Sequence, residues 1–258
     1  MTKPFISILM PGIRPSNWDA VYASISSSTK RTFELIIVSP YPLTPKLQEV
    51  KNVKYVKDFG SPVRSSNIAA LLAEGELITW TADDAMFIPD ALDKNIDLLL
   101  SMGDSIDNVV VAKYYEGVDG TEKPLQPDEY FKINGSTWTS SKYIPNDWWI
   151  FNVAIMHTLW FETLGGWDAT SFEATALSHT DMAVRAQAAG AIVKMSDVPL
   201  LNCNHGQSDH GPVENAQNTN DFPKFKGRYT DPGWVMRERF IDINNWKEAP
   251  AVWSKRFT

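Results

Sequence analysis

Residues 64–84 read RSSNIAALLAEGELITWTADD. Ile68, Leu71 and Leu72 recur at helical spacing and predict the inward face of a helix that Gly75 stops; the apolar run at 76–80 (ELITW) then predicts a strand. That strand delivers two adjacent carboxylates, Asp83 and Asp84, to its carboxyl end. The alternation repeats upstream, with short apolar runs at 5–10 (FISILM), 34–38 (ELIIV) and 53–56 (VKYV), and with Trp18, Val21, Tyr22 and Ile25 at helical spacing between the first two. A βαβα rhythm predicts an α/β fold, a mostly parallel sheet flanked by helices and joined by right-handed crossovers. Ligands of such a sheet bind beyond the carboxyl ends of its strands, where the loops at 11–17, 39–45 and 82–89 gather.

Further along, PDALDKNIDLLL at 89–100 predicts a helix with proline in its first turn, and DNVVVAKYY at 107–115 a strand. Residues 116–147 hold Gly117, Gly120, Gly135, Pro124, Pro127 and Pro145 among polar residues and predict a long excursion. Helices are expected over 152–164, ended by Gly165 and Gly166, and over 179–189, ended by Gly190; a last strand follows at 191–195. From 202 onward there is no regular hydrophobic period. The organisation expected is one domain with a ligand-binding half (1–100), a second half (101–204) and an irregular C-terminal tail (205–258) packing over the site.

The chain has 258 residues, 43% hydrophobic and 21% charged, which excludes a disordered or fibrous protein. With 24 basic and 31 acidic side chains its formal charge is −7, which argues against nucleic acid as a partner. A single cysteine, Cys203, cannot form an internal disulfide, and the opening MTKPFISILMPG has no signal-peptide pattern, so a cytoplasmic protein is expected. No apolar run approaches the ~20 residues of a membrane helix.

Adjacent carboxylates repel unless a cation compensates them, and hard oxygen ligands suit Mg²⁺ or Mn²⁺. Asp83 and Asp84 are therefore candidate metal ligands; the alternative is a pair of turn or capping aspartates ahead of the helix at 89. His205 in NHGQS, and His210 beside Asp209, are further candidates, whereas His157 falls inside an apolar helix and is expected to be structural. One cysteine and no HExxH exclude a recognisable zinc site. Trp138, Trp148, Trp149 and Trp167 offer flat faces for sugar rings, or core packing. Arg228, Arg237, Arg239, Lys255 and Arg256 alternate in the tail with Tyr229, Trp234, Trp246 and Trp253. Packing over the sheet is the default for that strip, with a diphosphate clamp or peripheral membrane contact as alternatives. Neither GxGxxG nor GxxxxGK follows the first strand, which disfavours dinucleotide and P-loop enzymes.

Taken together, PGIRP at 11–15, FELIIVS at 33–39, the stretch 64–84, DWWIFNVAIMHTLWFETLGGWDATSFE at 147–173 and DMAVRAQAAG at 181–190 resemble family 2 glycosyltransferases of the GT-A fold, over roughly residues 4–208. The resemblance implies an inverting, metal-dependent hexosyltransferase. It would move a sugar from a nucleotide-diphosphate donor to a hydroxyl acceptor on a glycan, lipid or protein-linked sugar. Donor-binding residues would then be Pro11, Arg14, Ser39, Arg64, Asn67 and Asp83; Mn²⁺ or Mg²⁺ would be held by Asp83, Asp84 and His205; and the acceptor would meet Trp148, Trp149, Trp167 and Asp168.

The chain departs from that pattern where Ser39-Pro40 replaces the acidic residue after the second strand, where Thr81-Ala82 precede the aspartates, and where Ser178-His179 replace the usual acid pair. Inverting transfer needs a base at the acceptor hydroxyl. Asp181 is the first candidate and His179 the reserve, with Asp168 and Glu173 next; Asp181 can also be read as an acid stabilising a helix N-terminus. Two other readings stand beside transfer: a catalytically weak or inactive carbohydrate-binding module of the same fold, and a nucleotidyltransferase, for which PGIRPSN supplies only one glycine and one arginine.

Overall fold

The computed structural model describes residues 3–117, 123–124, 131–133, 143–204, 211–231, 233–234 and 238–257. Its centre is a seven-stranded sheet built from β1 Ile6–Pro11, β2 Phe33–Ser39, β3 Val53–Lys57, β4 Leu77–Trp80, β6 Asn108–Val111, β9 Ala154–His157 and β10 Ile192–Met195, in the order β10-β6-β9-β4-β1-β2-β3. All pairings are parallel except those of β9, which runs antiparallel to both β4 and β6. A four-stranded sheet adds β5 Ala85–Phe87, β7 Tyr114–Gly117, β8 Lys123–Pro124 and β11 Leu201–Asn204, in the order β5-β11-β7-β8. This is the α/β architecture expected from the βαβα rhythm.

Helices α1 Pro15–Ser28, α2 Pro45–Gln48 and α3 Pro62–Ala70 make the first three crossovers. Each opens with proline, whose missing N–H costs nothing at a helix start, and the Thr44 and Ser61 side chains accept from the backbone of Leu47 and Arg64 to cap α2 and α3. Because β1 pairs with β2 on one side and β4 on the other, the chain reverses its direction of travel across the sheet beside β1. Such a switch point opens a crevice at the carboxyl ends of the strands. The strands of the interior are apolar on both faces, as Ile8, Leu9, Ile36, Ile37, Leu77, Ile78, Val109 and Ile155 show, all fully buried.

Helices α4 Ala91–Leu100, α5 Thr158–Leu164 and α6 Thr175–Ala188 cover the sheet. Four expectations need correction. Residues 154–157 form β9 instead of the start of a helix, because a strand buried on both faces shows no alternation and reads like a buried helix. The run at 107–115 divides into β6 and β7, which belong to different sheets. Helix α3 ends at Ala70, so Leu71 and Leu72 lie at its exit and are exposed. The tail is also less irregular than its pattern suggests: α7 Gly211–Ala216, a π-helical turn Gln217–Asp221 and α8 Phe222–Tyr229 run without a break. Asp221 and Tyr229 face inward there, so polar groups take positions where a period search expects apolar ones.

The rest of the described tail includes a 3₁₀ turn, Ile243–Lys247, which packs on α3 and α5, and a final helical turn, Ser254–Phe257, which reaches the ends of the strands. Cys203 is buried and free. Among the described residues no helix is long and apolar enough to cross a membrane.

Candidate active site

A cavity of about 260 Å³ lies where the crevice is expected. Its walls come from the ends of β1 (Pro11 to Arg14), β2 (Val38, Pro40) and β4 (Ala82, Asp83, Asp84), from α3 and α6 (Ser65, Thr175) and from the tail (Trp253, Arg256, Phe257). A larger hollow of about 1140 Å³ opens at the opposite, amino ends of the strands. Two of its cations are paired locally, Arg31 with Asp93 and Asp97 and Lys54 with Glu34 and Glu74, and it contains none of the predicted site residues.

The two aspartates, adjacent in sequence, do different work. Asp83 Oδ2 accepts the backbone N–H groups of Ile13 and Arg14, both at 2.6 Å, and the Trp18 indole at 3.3 Å, while Oδ1 receives Arg14 Nη1 at 2.5 Å. Asn17 donates to the Asp83 carbonyl. Helix α1 has no side-chain cap of its own, so this carboxylate, brought in from the end of β4, satisfies the free donors of its entry loop. Asp83 therefore shapes the loop, with Oδ2 taken up by its N–H groups and Oδ1 shared with Arg14. Asp84 supplies the other carboxylate of the cavity wall, 4% exposed, with Arg14 Nη2 3.6 Å away.

No group of three His, Cys, Asp or Glu side chains converges on a metal position among the described residues. His205 and His210 lie outside them. One carboxylate still suits Mg²⁺ or Mn²⁺, which Mg²⁺ in particular takes by keeping several waters and completing its shell with substrate phosphates.

Three of the predicted donor-binding residues serve the scaffold instead. Ser39 is fully buried and its hydroxyl accepts from Tyr41, leaving its neighbours Val38 and Pro40 to line the cavity. Arg64 pairs with Asp58 at 3.1 Å, stacks on Trp246 at 4.9 Å, and donates to the carbonyls of Trp246 and Ala249 at 2.6 and 3.0 Å; it anchors the tail and does not reach Asp83. Asn67 exchanges hydrogen bonds with the backbone of Trp167. Together with Asn245 it brackets the GGWD turn, whose Gly165 and Gly166 have φ of 81° and 66°. Pro11, Arg14, Asp83 and Asp84 do line the cavity.

On the acceptor side, Asp181 is fully buried and both its oxygens are taken: Oδ2 by Arg185 Nε at 2.8 Å, Oδ1 by Arg228 Nη1 at 2.6 Å and the Tyr229 hydroxyl at 2.5 Å. Asp168 accepts from Thr170, Ser171 and Arg228, and that guanidinium together with the hydroxyl donors holds its pKa near 2 against the opposing effect of burial. Glu173 receives Trp253 and Lys255 at 2.8 and 2.6 Å. Asp181 ties α8 to α6, while Asp168 and Glu173, in the segment ahead of α6, hold Arg228 and the C-terminal turn.

Trp167 is also structural, 1% exposed and edge-on to Trp80 and Phe161. Trp148 and Trp149 are half-buried away from the cavity; the Trp149 backbone pairs with Gln187 and its ring carries Lys132 at 4.7 Å. His157 ends β9 and is not in a helix.

His179 stands apart. Its ring lies 5.5 Å from Trp80 and 5.6 Å from Trp167, and loss of water around it lowers its pKa to about 3, so the imidazole is neutral at pH 7. It is half-buried, one helical turn beyond the cavity-lining Thr175 and on the same face of α6.

The fold is of the GT-A type, a Rossmann-like mostly parallel sheet flanked by helices, as in solved structures that the chain resembles. S. aureus TarS superposes with a TM-score of 0.56 at 14% identity, over 77% of this chain and 36% of that one. TarS 1–349 in complex with UDP-GlcNAc gives 0.53 at 16% identity, over 80% of this chain and 60% of that one, and the complex with UDP gives 0.52 at 15%, over 77% and 60%. The chain thus spans between about a third and three fifths of the length of these structures. No family profile and no curated protein sequence matches it.

Proposed function

We propose that the cavity binds a nucleoside-diphosphate sugar and that the protein transfers the sugar, with inversion, to a carbohydrate or glycolipid hydroxyl, using His179 as general base. The observation that carries this reading is the placement of Asp84 and Arg14 on one cavity at the switch point of the sheet, with the neutral imidazole of His179 one helical turn beyond Thr175 of its wall. Structures similar in fold that hold UDP-GlcNAc and UDP support it.

His179 takes the proton of the acceptor hydroxyl through its unprotonated ring nitrogen as the acceptor oxygen bonds to the anomeric carbon and the bond from that carbon to the diphosphate oxygen breaks. A pKa near 3 gives this imidazole the basicity of an ordinary carboxylate. Arg14 lines the cavity and would face the diphosphate charge as it is released. A divalent ion bound by Asp84 and the diphosphate would add charge neutralisation for the leaving group.

One observation favours a second reading, a carbohydrate-binding module without catalysis: Asp168, Asp181 and Glu173 are all tied up in the scaffold. Release of nucleoside diphosphate from a panel of nucleotide sugars, with and without candidate acceptors, separates the two. Turnover that disappears in His179→Ala supports transfer; nucleotide-sugar binding with no turnover supports the module; no nucleotide binding overturns both.

A further inference from the structure

The charged side chains lining the cavity, among the described residues, are Asp83, Asp84, Arg14 and Arg256. Arg14 lies against the two aspartates, and these three groups leave one net negative charge facing any ligand. Without a bound cation such a wall repels a diphosphate. The compensating guanidinium comes from the far end of the chain, in the helical turn Ser254–Phe257.

The tail around it is anchored at several points. Arg64 holds the carbonyls of Trp246 and Ala249, Val252 bridges to Phe59 as a short parallel pair, and the Trp253 N–H donates to the Phe59 carbonyl at 2.8 Å. Trp253 is 4% exposed against Ala174 and Ala216, and its indole donates to Glu173. Phe257 meets Phe59 edge-on at 5.6 Å, and the Arg256 guanidinium lies 5.8 Å from the Trp253 ring. The tail is therefore tied to the donor half through Phe59 and Arg64, and to the segment that leads into α6 through Glu173.

We propose that Arg256 is a diphosphate-binding residue of the donor site, so that the C-terminal turn is part of the active site and not only a cover over the sheet. This rests on the nucleotide-sugar reading above. A guanidinium matches two phosphate oxygens at once, and Trp253 keeps this one at the cavity wall.

The test is isothermal titration, in Mg²⁺, of matched mono- and diphosphates of uridine, cytidine and guanosine into the native chain, Arg256→Ala and Arg256→Lys, with melting curves alongside. Arg256→Ala is expected to weaken the diphosphate that the native chain binds by about tenfold or more and its monophosphate by less than about threefold, with Arg256→Lys in between. Equal loss for both ligands, which displacement of the tail alone would cause, overturns the inference, as does unchanged affinity for the diphosphate. If the native chain binds no nucleotide, the proposed function falls and this inference with it; if it binds one and Arg256 proves indifferent, only this inference falls.

Discussion

The Asp83 carboxylate lies 2.6 Å from the backbone nitrogen of Arg14 and 2.5 Å from that residue's guanidinium, so one side chain fixes both the loop and the cation at the mouth of the cavity. Its neighbour Asp84 meets the same guanidinium at the longer distance of 3.6 Å. The two aspartates should therefore separate stability from binding. Asp83→Ala removes one half of a buried ion pair and leaves loop N–H groups unmet, for an expected loss of about 3 kcal/mol in urea unfolding. Asp84→Asn keeps the side chain's shape, should unfold within about 1 kcal/mol of the native chain, and should lose affinity for nucleoside diphosphates.

A similar division is expected on α6. Asp181→Asn breaks contacts to Arg185, Arg228 and Tyr229 and should lower the denaturation midpoint by the equivalent of about 3 kcal/mol, with the pH–rate profile of the remaining folded enzyme unchanged. His179→Ala should lose turnover by a factor on the order of 10²–10⁴ with nearly constant donor affinity. A pH profile altered by Asp181→Asn, with His179→Ala fully active, would return the base to Asp181.

His179 also predicts a pH dependence of stability. Its folded pKa, about 3, is below the unfolded value near 6.5, so between those values the unfolded chain binds a proton that the folded chain refuses. Stability is then full above pH 6.5 and falls as the pH drops toward 3, by about 2 kcal/mol between pH 7 and pH 5. Asp168, with a folded pKa near 2, adds its own loss only below about pH 4. Chemical denaturation at pH 7 and pH 5 checks this, and His179→Gln should flatten the difference.

Metal binding should depend on the nucleotide. With Asp83 engaged by the loop, Mn²⁺ titrated into the ligand-free protein should give no saturable heat. Mn²⁺ together with a nucleoside diphosphate should bind, and Asp84→Asn should abolish that synergy. Tight Mn²⁺ binding without nucleotide would show that a protein-made site exists, with His205 as the first residue to substitute.

The parallel half of the sheet was readable because β1, β2 and β4 are dense in β-branched residues and are separated by helices with proline at their starts. Strand β9 was not, since Ala154, Ile155 and Met156 are buried on both faces and show no period of two. Which of two consecutive aspartates turns toward residues 13–18 is decided by packing between the ends of β1 and β4, and no local pattern records it. The i,i+4 spacing of Asp181 and Arg185 is that of a helical ion pair, although the sequence reading makes Asp181 a base or a helix N-terminal acid. Its second partner, Arg228, belongs to α8, forty-seven residues further on, and no local pattern records that approach.

Strand β9 has one more consequence, for the order in which the protein can fold. It sits between β4 and β6, yet it follows both in the chain, on the far side of the long excursion. Until it arrives, Leu77–Trp80 and Asn108–Val111 cannot complete their ladders, and two apolar edges stay open during synthesis. A chain ending just before Ala154 would keep them open permanently and should aggregate through them, and full-length chains should depend on chaperones most in the interval between synthesis of β6 and synthesis of β9.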